Sequence, residues 1–350
     1  MRVYILAGEP SGDKLGAALM AGLKSLAPKI KFRGIGGDLM IAEDLKSRFP
    51  MEELSVMGIA EVLPKDPELK RRLNQTIEDV IKSSPDVLIT IDSPDFSLRL
   101  AKAVKEQSNI RTVHYVAPSV WAWRASRAEK MSAYIDQVLA LLPFEPPYME
   151  KAGMRCDFVG HPIVSEPLGT DAEAHAFRSG KGIGDAPLIM VLPGSRRAEV
   201  SRLAPTFGEA LRATIKDHPQ ARVVVPAAAP VASAVIEATS NWPGAPVVLD
   251  PRDDPSALRM KRAAFAAADV ALATSGTVSL ELAANSVPMV IAYDMNWFSW
   301  QIMSRLAKID TVTLVNLVTG QNVIPEYLGP KCTPKNIADA LSGLIDDQAK

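Results

Sequence analysis

Two stretches of sequence decide the fold: VYILA at 3–7, followed by GEPSGD at 8–13, and LIMVL at 188–192, followed by PGSRR at 193–197. Each predicts a buried parallel strand, then a tight glycine turn, then the start of a helix. Free N–H groups and the positive end of a helix dipole can hold an anion at such a junction. Since the arrangement occurs twice, we predict two nucleotide-type α/β domains that face one another across a cleft.

Short apolar runs predict further strands, with helical patterns between most of them, and this alternation is typical of parallel sheets with right-handed crossovers. The runs are 2–7, 30–35, 87–91, 111–116, 137–141, 188–192, 222–226, 246–249, 269–273 and 288–292. The clearest helix is predicted at 67–82. Prolines and glycines near the middle of the chain place an N-terminal domain at 1–165, a linker at 166–184 and a C-terminal domain at 185–350.

Composition excludes several classes of protein. The 350 residues carry a net charge of −1, which argues against a nucleic-acid partner. Two cysteines and four scattered histidines have no ligand spacing, and the Asp-x-Asp clamp for a nucleotide-bound metal is missing, so we expect neither metal nor cofactor. No apolar run reaches the roughly 18 residues of a membrane span, and Glu9 follows the first strand too closely for a signal peptide. We expect a cytoplasmic protein and leave contact with a membrane surface open.

Two turns predict a nucleotide diphosphate site in the C-terminal half. Gly194, Ser195 and Arg196 follow a strand, where glycine permits close approach of a pyrophosphate and arginine neutralises it; an ordinary turn with an exposed arginine is the alternative. A second turn follows the 269–273 strand and carries further candidates: Ser275, Gly276, Thr277 and, one helical turn later, Glu281. Glu281 is placed to reach a ribose diol, whereas helix capping by Ser275 or Thr277 is the alternative.

The N-terminal half offers a carboxylate and an aromatic loop. Asp92 lies at the tip of the 87–91 strand, where it acts either as a catalytic base or as a turn former. The turn at 8–13 lacks a complete dinucleotide fingerprint. After the 111–116 strand, Trp121, Trp123 and Arg124 favour a substrate-facing wall, with a buried core as the alternative.

Eight segments resemble the lipid-A-disaccharide synthase family over nearly the whole chain: AGEPSGD at 7–13, MEELSVMGIAEVLP at 51–64, IDSPDF at 91–96, HYVAPSVWAWR at 114–124, LLPFE at 141–145, FVGHP at 158–162, LPGSRRAEV at 192–200 and SGTVSLE at 275–281. The resemblance implies a GT-B glycosyltransferase, an α/β protein of two facing Rossmann-like domains. It further implies inverting, metal-independent transfer of 2,3-diacylglucosamine from its UDP derivative to 2,3-diacylglucosamine 1-phosphate, which yields a β(1→6) lipid A disaccharide 1-phosphate and UDP.

The resemblance also implies roles for single residues. Asp92 matches the family's general base, and Arg196 matches an arginine that contacts UDP. Asn316 matches a segment that lines the nucleotide site together with the two C-terminal turns. Glu9 and Ser11 match the family's first glycine loop, where we expect substrate contacts.

Acylated substrates imply a peripheral, reversible contact with the inner membrane. The resemblance places it between Met57 and Arg72, where Val62, Leu63 and Leu69 would insert and Lys65, Lys70, Arg71 and Arg72 would meet anionic head groups. Each buried apolar side chain contributes about 1.5–3 kcal/mol, and each basic residue about 1 kcal/mol. In the alternative, Leu69 and Leu73 pack against the sheet.

Other interpretations stay open. Residues 293–306, rich in tryptophan and phenylalanine, form either a homodimer contact or domain core. Another UDP-sugar enzyme of the same architecture is the second hypothesis: an undecaprenyl-linked glucosaminyltransferase, or a UDP-glucosamine epimerase, which needs no acceptor or membrane surface. The third is a module that binds UDP-sugars without turnover, against which the intact Asp92 argues.

Overall fold

The computed structural model describes residues 1–55, 67–121, 126–252, 254–296, 300–301 and 309–348. The chain divides into two compact units, Met1–Pro162 and Ile163–Lys350. Each is built on a six-stranded sheet in which the pairings of neighbouring strands are parallel. The predicted α/β class is therefore confirmed.

The N-terminal unit contains six strands and seven helices in its described part: β1 Arg2–Ala7, α1 Pro10–Leu26, β2 Lys31–Ile35, α2 Asp38–Ala42, α3 Glu52–Ser55, α4 Pro67–Ser83, β3 Val87–Ile91, α5 Pro94–Gln107, β4 Arg111–Tyr115, α6 Ser126–Met131, β5 Gln137–Ala140, α7 Pro146–Glu150 and β6 Arg155–Phe158. The strand order is β2-β1-β3-β4-β5-β6. The chain therefore reverses its direction of growth between β1 and β3, and the carboxyl ends of strands at such a switch point form the usual ligand crevice of an open α/β sheet.

The C-terminal unit repeats this plan with β7 Leu188–Leu192, β8 Arg222–Pro226, β9 Val247–Leu249, β10 Val270–Ala273, β11 Met289–Tyr293 and β12 Glu326–Leu328. Its described helices are α8 Asp171–Gly180, α9 Arg197–Asp217, α10 Ala232–Thr239, α11 Ala257–Ala267, α12 Val278–Ala284, α13 Leu314–Thr319 and α14 Pro334–Gln348. The strand order is β12-β11-β10-β7-β8-β9, so the switch point lies between β7 and β10.

Burial explains why the two quoted runs are central strands. All five residues of β7 are buried, and Tyr4, Ile5 and Leu6 of β1 have no exposed surface. Strands covered by helices on both faces read as continuous apolar runs, in contrast to the alternating pattern of a half-exposed strand. Sequence reasoning missed β6 and β12 because both are short, polar edge strands.

The boundary between the units lies close to the predicted end of the first domain, but the predicted linker at 166–184 differs from the structure. It contains α8, whose N-cap Thr170 and Glu173 form a reciprocal capping box. Arg178 of α8 also bonds the carbonyl of Ala267 and the carboxylate of Asp269. The whole of 166–184 is therefore part of the C-terminal unit.

Candidate functional site

The carboxyl ends of β7 and β10 open into a cavity of about 1050 Å³ in the C-terminal unit. Leu192 of β7 pairs with Ala273 of β10, so the two turns begin at the same level of the sheet. The cavity brings together seven of the predicted nucleotide residues: Gly194, Ser195, Arg196, Ser275, Gly276, Thr277 and Glu281. Parallel register at a switch point is the physical reason for this convergence.

The turn after β7 is closed by its own helix. Glu199 accepts hydrogen bonds from the N–H groups of Ser195 at 3.0 Å and Arg196 at 3.3 Å, and its other oxygen pairs with the Arg196 guanidinium at 2.9 Å. The Glu199 carboxylate thus occupies the position in which the N–H groups of this turn can bind an anion. Gly194 has a φ of +129°, and a Cβ there would lie 2.5 Å from the Cβ of Glu199, so only glycine fits.

The turn after β10 is held from outside α12. Ser275 donates its hydroxyl hydrogen to the Val312 carbonyl at 3.2 Å, and Thr277 occupies the N-cap position without a side-chain cap bond. The capping role considered for these two side chains therefore does not occur. Further along α12, Glu281 forms an ion pair with Lys261, in which Lys261 Nζ lies 2.6 Å from Glu281 Oε2. Lys261 lines the same cavity, and no sequence signal marked it, because α11 is distant in the chain.

An apolar wall completes the cavity. It is contributed by the ends of β8 and β9, where the N–H of Ala227 donates to the Leu249 carbonyl at 3.0 Å, and by the start of α11. Asp250, which follows β9, also lines the cavity, and hydrogen bonds from Arg252 lower its pKa to about 2. The cavity therefore combines a polar floor of turn N–H groups with one apolar side.

Asn316 does not line this cavity, which corrects the prediction made for it. Its side chain is 1% exposed and bonds the backbone of Ile324 on both sides, through Nδ2 at 2.9 Å and Oδ1 at 2.8 Å. Nearby, Glu326 accepts from the hydroxyls of Thr311 and Thr313 at 2.9 and 2.8 Å. Asn316 also donates to the Thr311 hydroxyl at 3.2 Å, and so it helps to fix the 311–313 segment, whose Val312 carbonyl accepts the hydrogen bond from Ser275.

In the N-terminal unit, the carboxyl ends of β1 and β3 meet at the other switch point. Ala7 pairs with Ile91, so Gly8 and Asp92 come next to one another, and a Cβ on Gly8 would approach Ser93 Oγ to 2.8 Å. Asp92 has a φ of +47° and donates its N–H to the Tyr115 carbonyl at 3.0 Å. Burial, and then the charge of Glu9, raise the pKa of Asp92. Asp92 is therefore both a turn residue and a carboxylate with increased proton affinity.

The rest of the first glycine loop has separate tasks. Glu9 accepts a hydrogen bond from Ser93 at 3.2 Å, whereas Ser11 lies exposed in the first turn of α1. Asp13 is buried and accepts from three N–H groups at the start of α2, at 2.8 to 3.1 Å. Asp13 thus ties α1 to α2, whereas Glu9 joins this loop to the Asp92 turn through its hydrogen bond with Ser93.

Trp121 is a core residue, which contradicts its prediction as part of a substrate wall. It is 8% exposed, its ring meets Phe144 edge-on at 5.2 Å, and its Nε1 donates to Glu145 at 3.4 Å. Trp123 and Arg124 lie outside the described residues. Burial raises the pKa of Glu145 to about 7, although hydrogen bonds from Leu142 and Trp121 act in the opposite direction.

The predicted membrane contact is only partly described. Helix α4 begins at Pro67 as predicted and ends at Ser83, one residue after the predicted end. Leu69 is only 3% exposed, so its assignment to a membrane contact is wrong. Val62 and Leu63 lie outside the described residues, as does most of the predicted dimer stretch at 293–306. Among the helices that the structure describes, none has the length and apolarity to cross a membrane. The described residues contain no cluster of three or more potential metal ligands.

Comparison with known proteins identifies the family. A family model described as lipid-A-disaccharide synthetase matches residues 3–350. A lipid-A-disaccharide synthase of Ruegeria pomeroyi is 62% identical over 351 residues, which covers all of this chain and 88% of that relative.

Solved structures resemble the fold at low identity. A UDP-GlcNAc 2-epimerase from Neisseria meningitidis, bound to UDP-GlcNAc, matches with a TM-score of 0.66 at 13% identity, over 99% of this chain and 92% of that one. The ADP-heptose lps heptosyltransferase II of E. coli matches with a TM-score of 0.51 at 13% identity, over 100% of both chains. The two parallel sheets and these likenesses assign the GT-B architecture. The chain belongs to the lipid-A-disaccharide synthase family, whose members are glycosyltransferases of lipid A biosynthesis.

Proposed function

We propose that this chain transfers 2,3-diacylglucosamine from its UDP derivative to the 6-hydroxyl of 2,3-diacylglucosamine 1-phosphate, by one displacement with inversion and without a metal. The products are the β(1→6) lipid A disaccharide 1-phosphate and UDP. The observation that carries the proposal is the convergence of seven predicted nucleotide residues on one cavity of about 1050 Å³. A cavity of this size accommodates a nucleotide sugar.

In this proposal the C-terminal unit holds UDP. The diphosphate lies against the turn N–H groups near Ser195 and Gly276, and Arg196 stabilises the charge that grows on the leaving group. Glu281 bonds the ribose diol, and uracil rests on the apolar wall near Leu249. Because Glu199 bonds the turn after β7 at 3.0 Å, the diphosphate has to share or displace that carboxylate.

The N-terminal unit supplies the base. Asp92 removes the proton from the acceptor hydroxyl as the new bond forms. A carboxylate of raised pKa is a stronger base than an ordinary aspartate, which suits this role. Burial and the Glu9 charge both act in that direction.

The acyl chains place the reaction at the cytoplasmic surface of the inner membrane. We propose reversible, peripheral contact through residues 57–66, with the exposed cations Lys70 and Arg71 of α4 beside the head groups. Homodimerisation through residues 293–306 stays a prediction, which light scattering of the purified chain tests.

The test is incubation of the purified protein with both acyl-sugar substrates in EDTA. We expect disaccharide and UDP in equal amounts. Formation of an epimerised UDP-sugar without acceptor, or UDP-sugar binding with no product, would replace this function with an epimerase or a binding module.

A further inference from the structure

A second cavity, of about 440 Å³, lies on the flank of the N-terminal unit between β2, residues 48–49 and α4. We call it the flank pocket. Its charged lining consists of Arg33, Arg48, Arg72, Lys82, Glu78 and Asp79. Four cations against two acidic groups leave a charge of +2 on the lining itself.

One buried carboxylate organises the floor of the flank pocket. Asp79 is 9% exposed and accepts hydrogen bonds from the Tyr4 hydroxyl at 3.0 Å and from Arg33 Nε at 2.9 Å. It also forms an ion pair with Arg48, whose Nε lies 3.1 Å from its carboxylate. Burial acts against ionisation of Asp79, but the hydrogen bonds from Arg33 and Tyr4 outweigh it and lower its pKa. A single negative charge therefore holds two guanidinium groups, and both arginine side chains keep nearly half their surface exposed.

The other two cations extend this excess charge. Arg72 stacks on Phe49, with its guanidinium carbon 4.4 Å from the ring centroid, and pairs with Glu53 beside the pocket. Lys82 is exposed and makes no hydrogen bond or ion pair with any residue that the structure describes. Even with Glu53 counted against Arg72, the pocket keeps a charge of +1.

The flank pocket is separate from the candidate catalytic residues. Arg33 is the middle residue of the edge strand β2, in register with Tyr4 of β1, and Lys82 lies in the last turn of α4, just before the amino end of β3. Asp92 and Glu9 lie at the opposite, carboxyl ends of the strands. The pocket is also continuous with the segment predicted to meet the membrane, because Arg72 belongs to both.

We propose that the flank pocket binds the phosphate of an anionic phospholipid head group and so anchors the N-terminal unit on the membrane. Two guanidinium groups fixed side by side match the oxygens of a phosphate, and an exposed lysine adds a mobile charge. This inference rests on the proposed action at the membrane surface. Because free phosphate carries the same oxygens as a lipid phosphate, the experiment below distinguishes the two.

The test compares two charge-matched double variants by co-sedimentation with vesicles of equal parts phosphatidylcholine and phosphatidylglycerol. R48Q/K82Q removes two pocket cations, whereas K29Q/K130Q removes two exposed cations elsewhere on the same unit. We expect R48Q/K82Q to lower the partition coefficient by about tenfold or more, and the control by less than about threefold. Equal losses in the two variants would overturn the proposal, since general surface charge would then suffice.

Further arms keep the result interpretable. Should R48Q/K82Q fail to fold, Lys82→Glu replaces it, because Lys82 has no partner in the described structure to lose. If inorganic phosphate raises the melting temperature of the parent but not of the pocket variant, while vesicle binding is equal, a soluble phosphate is the occupant and the lipid proposal fails. Transfer between detergent-dispersed substrates is measured in parallel: its absence in the parent defeats the proposed function, whereas the vesicle result defeats only the anchor.

Discussion

Ser93 donates its hydroxyl hydrogen to the carboxylate of Glu9 at 3.2 Å and so joins the turn after β3 to the turn after β1. The residue before Ser93 is Asp92, whose pKa is raised by burial and then by the negative charge of Glu9. Two strand-end turns distant in the chain therefore act on one carboxylate. The proton affinity of this proposed base depends on a residue of the first glycine loop.

Replacing Glu9 by glutamine should move the acid limb of the kcat/KM profile to lower pH. The Glu9 charge raises the pKa of Asp92, so its removal lowers that pKa and keeps the base ionised in more acidic solution. The measurement is kcat/KM for disaccharide formation as a function of pH. Asp95→Asn is the control, since Asp95 pairs with Arg127 at 3.6 Å; an unmoved limb in E9Q would contradict the coupling.

The sequence alone predicted which strand-end turns lie side by side, because their positions follow from the parallel register of the strands. Once VYILA and LIMVL are central strands, the residues after them have to meet those after β3 and β10. Hydrogen bonds and ion pairs between side chains of different elements could not be predicted in this way. Lys261 reaches Glu281 from another helix, and the buried Glu145 pairs with Trp121, a ring that the loop composition had suggested for substrate contact.

Gly194→Ala should destabilise the C-terminal unit by about 1–3 kcal/mol, because alanine is strained at a φ of +129° and its Cβ meets Glu199. UDP affinity should fall with it. Gly343→Ala in α14 is the matched control: nothing lies within 4 Å of its added Cβ, and helix propensity predicts a gain of about 0.5–1 kcal/mol. Thermal unfolding of both variants is measured, and a neutral G194A would show that the turn adapts.

Glu281→Ala should weaken UDP binding by about tenfold if Glu281 bonds the ribose diol. Lys261 also loses its partner in this variant, and this loss could weaken UDP binding by itself. The effect of the variant on UDP is therefore compared with its effect on 2′,3′-dideoxyuridine diphosphate, which lacks the diol. Titration calorimetry should give the tenfold loss for UDP and little change for the dideoxy analogue. An equal loss for both ligands would assign Glu281 to the organisation of Lys261; Glu237→Ala, on an exposed face of α10, is the control.

Glu145→Gln should remove a pH dependence of stability. Burial raises the pKa of Glu145 from 4.5 to about 7, so the unfolded chain loses this proton first and stability falls as pH rises between these values. The shift corresponds to about 3 kcal/mol. Urea denaturation at about pH 5 and about pH 8 should show a smaller difference in E145Q than in the parent. The exposed Glu129→Gln is the control, and an unchanged difference in E145Q would show that Glu145 does not titrate in this range.

Other misassignments share one physical cause. Leu69 and Asn316 both lie in segments whose sequence suits an exposed or ligand-facing role, yet both side chains are buried, with exposures of 3% and 1%. Asn316 forms hydrogen bonds with the backbone N–H and carbonyl of Ile324. A polar side chain that is buried to make such bonds cannot be recognised from the neighbouring sequence. Periodicity indicates which face of a helix is apolar, but it does not say what covers that face.

The most direct test of the account is Asp92→Asn, assayed for both turnover and UDP binding, with Asp95→Asn as the matched control. If Asp92 is the base, kcat should fall by about 10²–10⁴-fold, while the Kd for UDP stays within about twofold, since the predicted UDP residues lie in the other unit. D95N should keep near-normal turnover. Turnover of D92N close to that of the parent, with UDP binding intact, would contradict the assignment of Asp92 as the catalytic base.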